Sequence, residues 1–143
     1  MEAAHIYSAL TEEQISALKT KIEANCIKET EEPGCWTHTF ASRGGSHDVF
    51  GSLGIPLSSG TDLEGKKVKA HRFMAMLATG RPPLSGDEAS HLCGNPRCVR
   101  KEHMWWESGP VNQTRKCCHI YLGLHPTYTC PHTPACIKPL KAI

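Results

Sequence analysis

The sequence predicts a small α+β fold in which antiparallel β ribbons and short helices are pinned by bound metal more than by a large core. Three observations lead there. At 143 residues the chain suits one domain, yet it is 39% apolar and only 6% aromatic, so its core is modest for that length. Helical periodicity near the N-terminus gives way after residue 34 to β-type patterning. The stretch from Ser90 to Cys136 then gathers six of the eight cysteines and five of the nine histidines, at intervals typical of metal ligands.

Composition excludes several classes. No apolar run approaches the roughly 20 residues of a membrane span, and the N-terminus lacks the basic-then-apolar layout of a signal peptide. The expectation is therefore a soluble intracellular protein in a reducing compartment, the nucleus if the source is eukaryotic, with no membrane partner. There, cysteines interleaved with histidines hold zinc rather than forming a disulfide framework. The net charge of +2 is unevenly spread. Residues 1–34 carry three Lys/Arg against seven Asp/Glu, whereas 35–143 carry thirteen against seven. A basic body suits a polyanionic partner.

Taken in order, Leu10-Thr11-Glu12-Glu13-Gln14 has the form of a capping box, with Ile15, Leu18 and Ile22 following at helical spacing. This predicts an amphipathic helix over 12–25, then a polar Pro-Gly connector from Glu29 to Gly34. Residues 1–34 thus form a helix with an acidic connector, and 35–143 the metal-stabilised body of a single domain. From Cys35 to Leu57 the pattern turns to β. Trp36, Thr37, Thr39 and Phe40 precede a Gly44-Gly45 turn, and Val49 and Phe50 follow it, which predicts a hairpin. Arg43, Ser46 and His47 cluster at its turn, as in ribbons that enter a DNA groove. Lys66, Lys67 and Lys69 alternate with Val68 and lead into a short helix from Ala70 to Leu77, closed by Gly80 and Pro82. Arg72 on that helix is a candidate phosphate contact.

Cys93, Cys98 and His103 are evenly spaced, and Gly94-Asn95-Pro96 supplies a turn that folds both thiolates onto one ion. A fourth ligand is needed, and Cys35 is chosen over Cys26, which trails a helix. Cys130, His132 and Cys136 form a second set, with Cys118 the candidate fourth ligand and Cys117 and His119 its rivals. Three thiolates and one imidazole close a tetrahedron, so both sites are structural. Such a site binds zinc by roughly 10–16 kcal/mol in small peptides, enough to offset a thin core.

His91 lies outside these sets, two residues before a zinc cysteine. Trp105-Trp106-Glu107 reads as a strand, Ser108-Gly109-Pro110 as a helix start, and Asn112 falls in the helix's opening turn. An imidazole and a side-chain carbonyl on such a β-β-helix unit can converge on one divalent cation, His91 as base and Asn112 as ligand.

The series Ser90-His91-Leu92-Cys93, Asn95, Arg97-Cys98, His103, Trp106-Glu107-Ser108, Asn112, Arg115 and Cys130-x-His132-x-x-x-Cys136 resembles the His-Cys box homing endonucleases. These are a branch of the ββα-metal (HNH, His-Me finger) nucleases. The resemblance implies a ββα-metal catalytic motif and a one-metal hydrolysis of double-stranded DNA leaving 5′-phosphate and 3′-hydroxyl ends. It makes His91 the general base and Asn112 the Mg²⁺ ligand. It assigns Cys35, Cys93, Cys98 and His103 to one Zn²⁺, and Cys118, Cys130, His132 and Cys136 to the other. It also implies an intron-type, sequence-specific homodimer and an arginine on the scissile phosphate, for which Arg43, Arg72 and Arg115 compete. Family members act as homodimers, and in one of them a long C-terminal tail reaches across to the partner subunit. Only seven residues follow Cys136 here, so the expected dimer uses another surface or is absent, which gives a nickase. The alternatives are a low-specificity nuclease or nickase of the same fold, and a zinc-stabilised DNA-binding module without catalysis.

Overall fold

The computed structural model describes residues 2–29, 34–40, 52–55, 66–125 and 127–137. Helix α1 (Glu2–Ala9) leads into α2 (Glu12–Ala24), whose start is the predicted capping box. The Gln14 amide donates to Thr11 Oγ1 at 3.1 Å, and the Thr11 amide to Gln14 Oε1 at 3.0 Å. Leu18 and Ile22 are the buried stripe of α2. Helix α1 is docked through Tyr7, whose ring enters the core while its hydroxyl accepts from the Lys69 amide at 3.1 Å.

Among the described residues, the strands form three two-stranded antiparallel ribbons. Strand β1 (Cys26–Lys28) pairs with β2 (Trp36–His38), and β3 (Ser52–Gly54) with β4 (Lys67–Lys69). The return strand of the predicted hairpin, at Val49 and Phe50, lies outside the described residues. Among the described residues, the strand at Trp36 bonds to the segment before it, and the strand after the Gly-Gly pair bonds to the lysine strand. β-propensity marks residues that suit a pleated surface but does not choose their partners. The Gly44-Gly45 turn, with Arg43, Ser46 and His47, lies outside the described residues.

Helix α3 (Ala70–Thr79) ends where the sequence indicated, with Gly80 in the left-handed region at φ 73° and its amide bonded to Met76 O. Its buried face, Phe73, Met74 and Met76, meets Leu18, Ile22, Leu53, Val68, Met104 and Trp106 in one hydrophobic cluster. Full burial of a side chain such as Phe73 contributes about 1.5–3 kcal/mol.

The third ribbon is β5 (Glu88–His91) with β6 (Met104–Glu107), pairing Glu88 with Glu107, Ala89 with Trp106, Ser90 with Trp105 and His91 with Met104. The knuckle between them closes on a 3₁₀ turn, Lys101–His103. Helix α4 (Gly109–Leu124) follows, capped by Ser108 with Pro110 in its first turn. The ribbon is anchored to the turn after α3 by Trp106, whose indole donates to Arg81 O at 3.0 Å. The whole is a small α+β fold, and no described helix is long and apolar enough to cross a membrane.

Candidate metal centres and the cleft between them

The first centre assembles from two distant segments. Strand β2 lies against the knuckle: the His38 amide donates to Arg97 O at 3.0 Å, the Val99 amide to Trp36 O at 2.7 Å, and Thr37 bridges Cys98. This pairing carries Cys35 to Cys93, Cys98 and His103, and the four ligand atoms lie within 4.8 Å of one another. Zn–S and Zn–N bonds of about 2.3 and 2.0–2.1 Å at tetrahedral angles put ligand atoms about 3.5–3.8 Å apart. Cys98 Sγ is 3.4 Å and Cys35 Sγ 3.9 Å from His103 Nδ1, which fits. Hydrogen bonds from the Cys93 and Cys98 thiols hold the Cys35 thiol well below its ordinary pKa, so a thiolate is available to an ion. Cys26 stays outside, bonded to Glu23 O.

Within the knuckle, the Gly94 amide donates to His91 O and the Cys98 amide to Asn95 O, each at 3.0 Å. Asn95 Oδ1 accepts from the Arg97 amide at 3.0 Å. Gly94 has φ +76°, and a Cβ on it would meet the His119 ring at 2.9–3.1 Å.

The second centre brings Cys118 of α4 to Cys130, His132 and Cys136, again within 4.8 Å. Cys130 Sγ and Cys136 Sγ lie 3.3 and 3.7 Å from His132 Nδ1. Burial opposes ionisation of Cys130, but the amides of Cys136 and His132 donate to its sulfur at 3.2 and 3.3 Å, and its pKa falls to about 6. Of the rivals, Cys117 faces solvent, and His119 turns its Nε2 to Leu92 O at 2.6 Å. Leu92 O also accepts from the Ile137 amide at 2.7 Å, which ties the second centre to the first.

Between the centres lies a cleft of about 330 Å³ lined by Ala89, His91, Gly94, Pro96, Asn112, Arg115, Lys116 and His119. His91, at the end of β5, stacks on His71 with ring centroids 5.4 Å apart. Burial lowers the His91 pKa to about 4, against a hydrogen bond with the Cys98 backbone that favours the charged form, so the imidazole is neutral at pH 7. Asn112 accepts from Ser90 Oγ at its Oδ1 and donates from Nδ2 to Glu88 Oε1, both at 2.9 Å. Asn112 Oδ1 is a hard oxygen donor, the class that Mg²⁺ takes while keeping most of its waters.

Arg115, one of three arginines that compete in the sequence for the scissile phosphate, has a side chain that is 1% exposed. Its Nε and Nη2 grip the Glu107 carboxylate, the latter at 2.6 Å, and its Nη1 donates to Cys136 Sγ at 3.3 Å. Three of its N–H groups are thus engaged inside the protein. Arg72 sits with its guanidinium 5.0 Å over Trp106 and 5.8 Å over Tyr7. Lys66, Lys67 and Lys69 are exposed on and beside β4. Sequence reasoning missed Lys116, an exposed cation on the cleft, and the Glu88–Ser90 pair that grips Asn112. The latter was legible as an i, i+2 pair on one face of a strand.

The family model for the zinc-binding loop region of homing endonuclease matches residues 34–143, three quarters of the chain and both metal centres. No curated protein and no solved structure matches.

Proposed function

The chain belongs to the family of homing endonuclease zinc-binding loop regions, and from that premise we propose that it is a Mg²⁺-dependent DNA endonuclease with two structural Zn²⁺ ions. One observation carries the reading: His91 and Asn112, which neither zinc centre uses, line one cleft between the two centres, with Lys116 beside them. In this reading, a ring N–H of His91 donates to the Cys98 backbone carbonyl. The other ring nitrogen then accepts the proton of an attacking water. Asn112 Oδ1 holds Mg²⁺, which when bound supplies positive charge to the phosphate undergoing hydrolysis. Lys116 and the Lys66, Lys67 and Lys69 strand contact the DNA backbone, contacts that position the duplex without reading its sequence. The ends left are 5′-phosphate and 3′-hydroxyl. The chain acts as a homodimer, one copy per strand, on a specific intron-type site, and works in a reducing intracellular setting that preserves its thiols.

The test is to incubate the zinc-loaded chain with supercoiled and genomic DNA, with and without Mg²⁺, beside His91→Ala. Discrete fragments that require Mg²⁺, with a loss of about 10²–10⁴-fold in His91→Ala, support a specific nuclease. A smear indicates a general nuclease, and nicked circles a monomer cutting one strand. Intact DNA that is nonetheless bound would replace the nuclease reading with a zinc-stabilised DNA-binding module.

A further inference from the structure

The two nitrogens of His132 face different neighbours. Nδ1 lies 3.3 and 3.7 Å from the Cys130 and Cys136 sulfurs, and Nε2 lies 2.9 Å from Thr114 Oγ1 on α4. Thr114 stands one turn before Cys118, so one helix supplies a ligand of the second centre and a contact to the back of another.

Proton counting gives that contact a direction. A threonine hydroxyl carries one proton. Thr114 Oγ1 is 2.6 Å from Val111 O, the carbonyl three residues back, a bond that threonine makes readily within helices. Two oxygens that close need a proton between them, so the Thr114 proton is spent on Val111. Oγ1 can then only accept from His132. This places the proton of the neutral imidazole on Nε2 and leaves the Nδ1 lone pair to the side where the thiols converge.

The sulfurs of the same centre are backed as well. Tyr128 Oη donates to Cys118 Sγ at 3.4 Å, Arg115 Nη1 to Cys136 Sγ at 3.3 Å, and two backbone amides to Cys130 Sγ. With Thr114 behind His132, each of the four ligands has a hydrogen-bond partner that orients it.

We propose that Thr114 is a positioning residue of the second centre, whose hydroxyl fixes the tautomer and ring plane of His132 and so sets the zinc affinity of that centre. The proposal rests on the reading of this centre as a Zn²⁺ site. Partners behind a metal-bound histidine typically alter metal affinity about 10–100-fold when changed. Thr114 is exposed, and water can replace part of its bond, so the expected loss is at the lower end, about 10-fold.

The experiment titrates a chelator into the full zinc-loaded chain and follows the imidazole nitrogens by ¹⁵N NMR. His132 reports the second centre and His103 the first, so each affinity is read separately. Thr114→Val keeps the volume and removes the hydroxyl; Thr114→Ser restores it. In wild type the metal-bound nitrogen of His132 is expected to be Nδ1, with the proton on Nε2. Thr114→Val should weaken zinc binding at His132 about 10-fold and leave His103 unchanged, while Thr114→Ser stays within about twofold of wild type. A proton on Nδ1 in wild type, a loss under about twofold in Thr114→Val, an equal loss at His103, or a Thr114→Ser variant as weak as Thr114→Val would each overturn the proposal. Should His132 of wild type take up no zinc, the zinc reading of this centre fails by itself, and the Nε2 proton still decides the role of Thr114. Its hydrogen-bonded signal must then be present in wild type and Thr114→Ser and lost in Thr114→Val. Any other pattern ends the proposal.

Discussion

Gly94→Ala isolates what the knuckle demands of its backbone. Two costs apply. An L-residue at φ +76° carries a left-handed penalty of about 1–2 kcal/mol. The added methyl also meets His119 Cγ, Cδ2 and Nδ1 at 2.9, 3.0 and 3.1 Å. These are ring atoms close to the helix backbone, and the ring is pinned at its far side by the 2.6 Å bond from Nε2 to Leu92 O, so it has little room to yield. Overpacking of this kind costs about 1–3 kcal/mol. The total is about 2–5 kcal/mol, a large share of a small domain's stability. Gly86 provides the control: its φ is +85° and nothing lies within 4 Å of an added Cβ, so Gly86→Ala carries only the conformational cost of about 1–2 kcal/mol. The assay is urea unfolding of both variants at fixed free zinc, so that metal linkage is held constant. Repeating Gly94→Ala in a His119→Ala background removes the ring, and the substitution should then cost no more than Gly86→Ala. If Gly94→Ala costs no more than Gly86→Ala while His119 is present, the steric argument fails.

Three further outcomes follow from the same geometry. Cys118→Ser is expected to lower zinc from two ions per chain to one, whereas Cys117→Ser leaves two; elemental analysis checks both, and a loss in Cys117→Ser would reverse the assignment. The same measurement separates Cys35→Ser, which loses an ion, from Cys26→Ser, which does not. Thr11→Ala removes the hydroxyl that caps the Gln14 amide and should destabilise the protein by about 1 kcal/mol; an unchanged urea midpoint would show that α2 does not depend on its cap.

Much of the site was legible because metal chemistry is local in sequence. Cys93, Cys98 and His103, and Cys130, His132 and Cys136, are spaced so that one turn gathers each set, and the β-β-helix frame between them follows from alternation, a capping serine and a proline at a helix start. What escaped was direction. Arg115 reads as a cation available to DNA, and only the fold shows that Glu107 and Cys136 close around it. Cys117 and Cys118 are chemically equal, and the phase of α4 separates them: Arg115, Cys118 and His119 share its buried face. Strand partners escaped for a similar reason, since Trp36 and Leu53 each need a neighbour but neither specifies which.

The fourth ligand of the first centre gives that site a property the second lacks. Cys35 meets His103 across 68 residues, whereas Cys130, His132 and Cys136 succeed one another in steps of 2 and 4. An ion in the second centre organises one end of the chain. An ion in the first is a long-range cross-link, closing a loop that contains β2 through α3 and much of the core. Loop-closure entropy grows only with the logarithm of length, so such a link limits the unfolded chain's freedom as a disulfide would, yet it can be undone by a chelator without any redox chemistry. Loss of that single ion would leave the strand that delivers Cys35 held to the knuckle by its backbone hydrogen bonds alone.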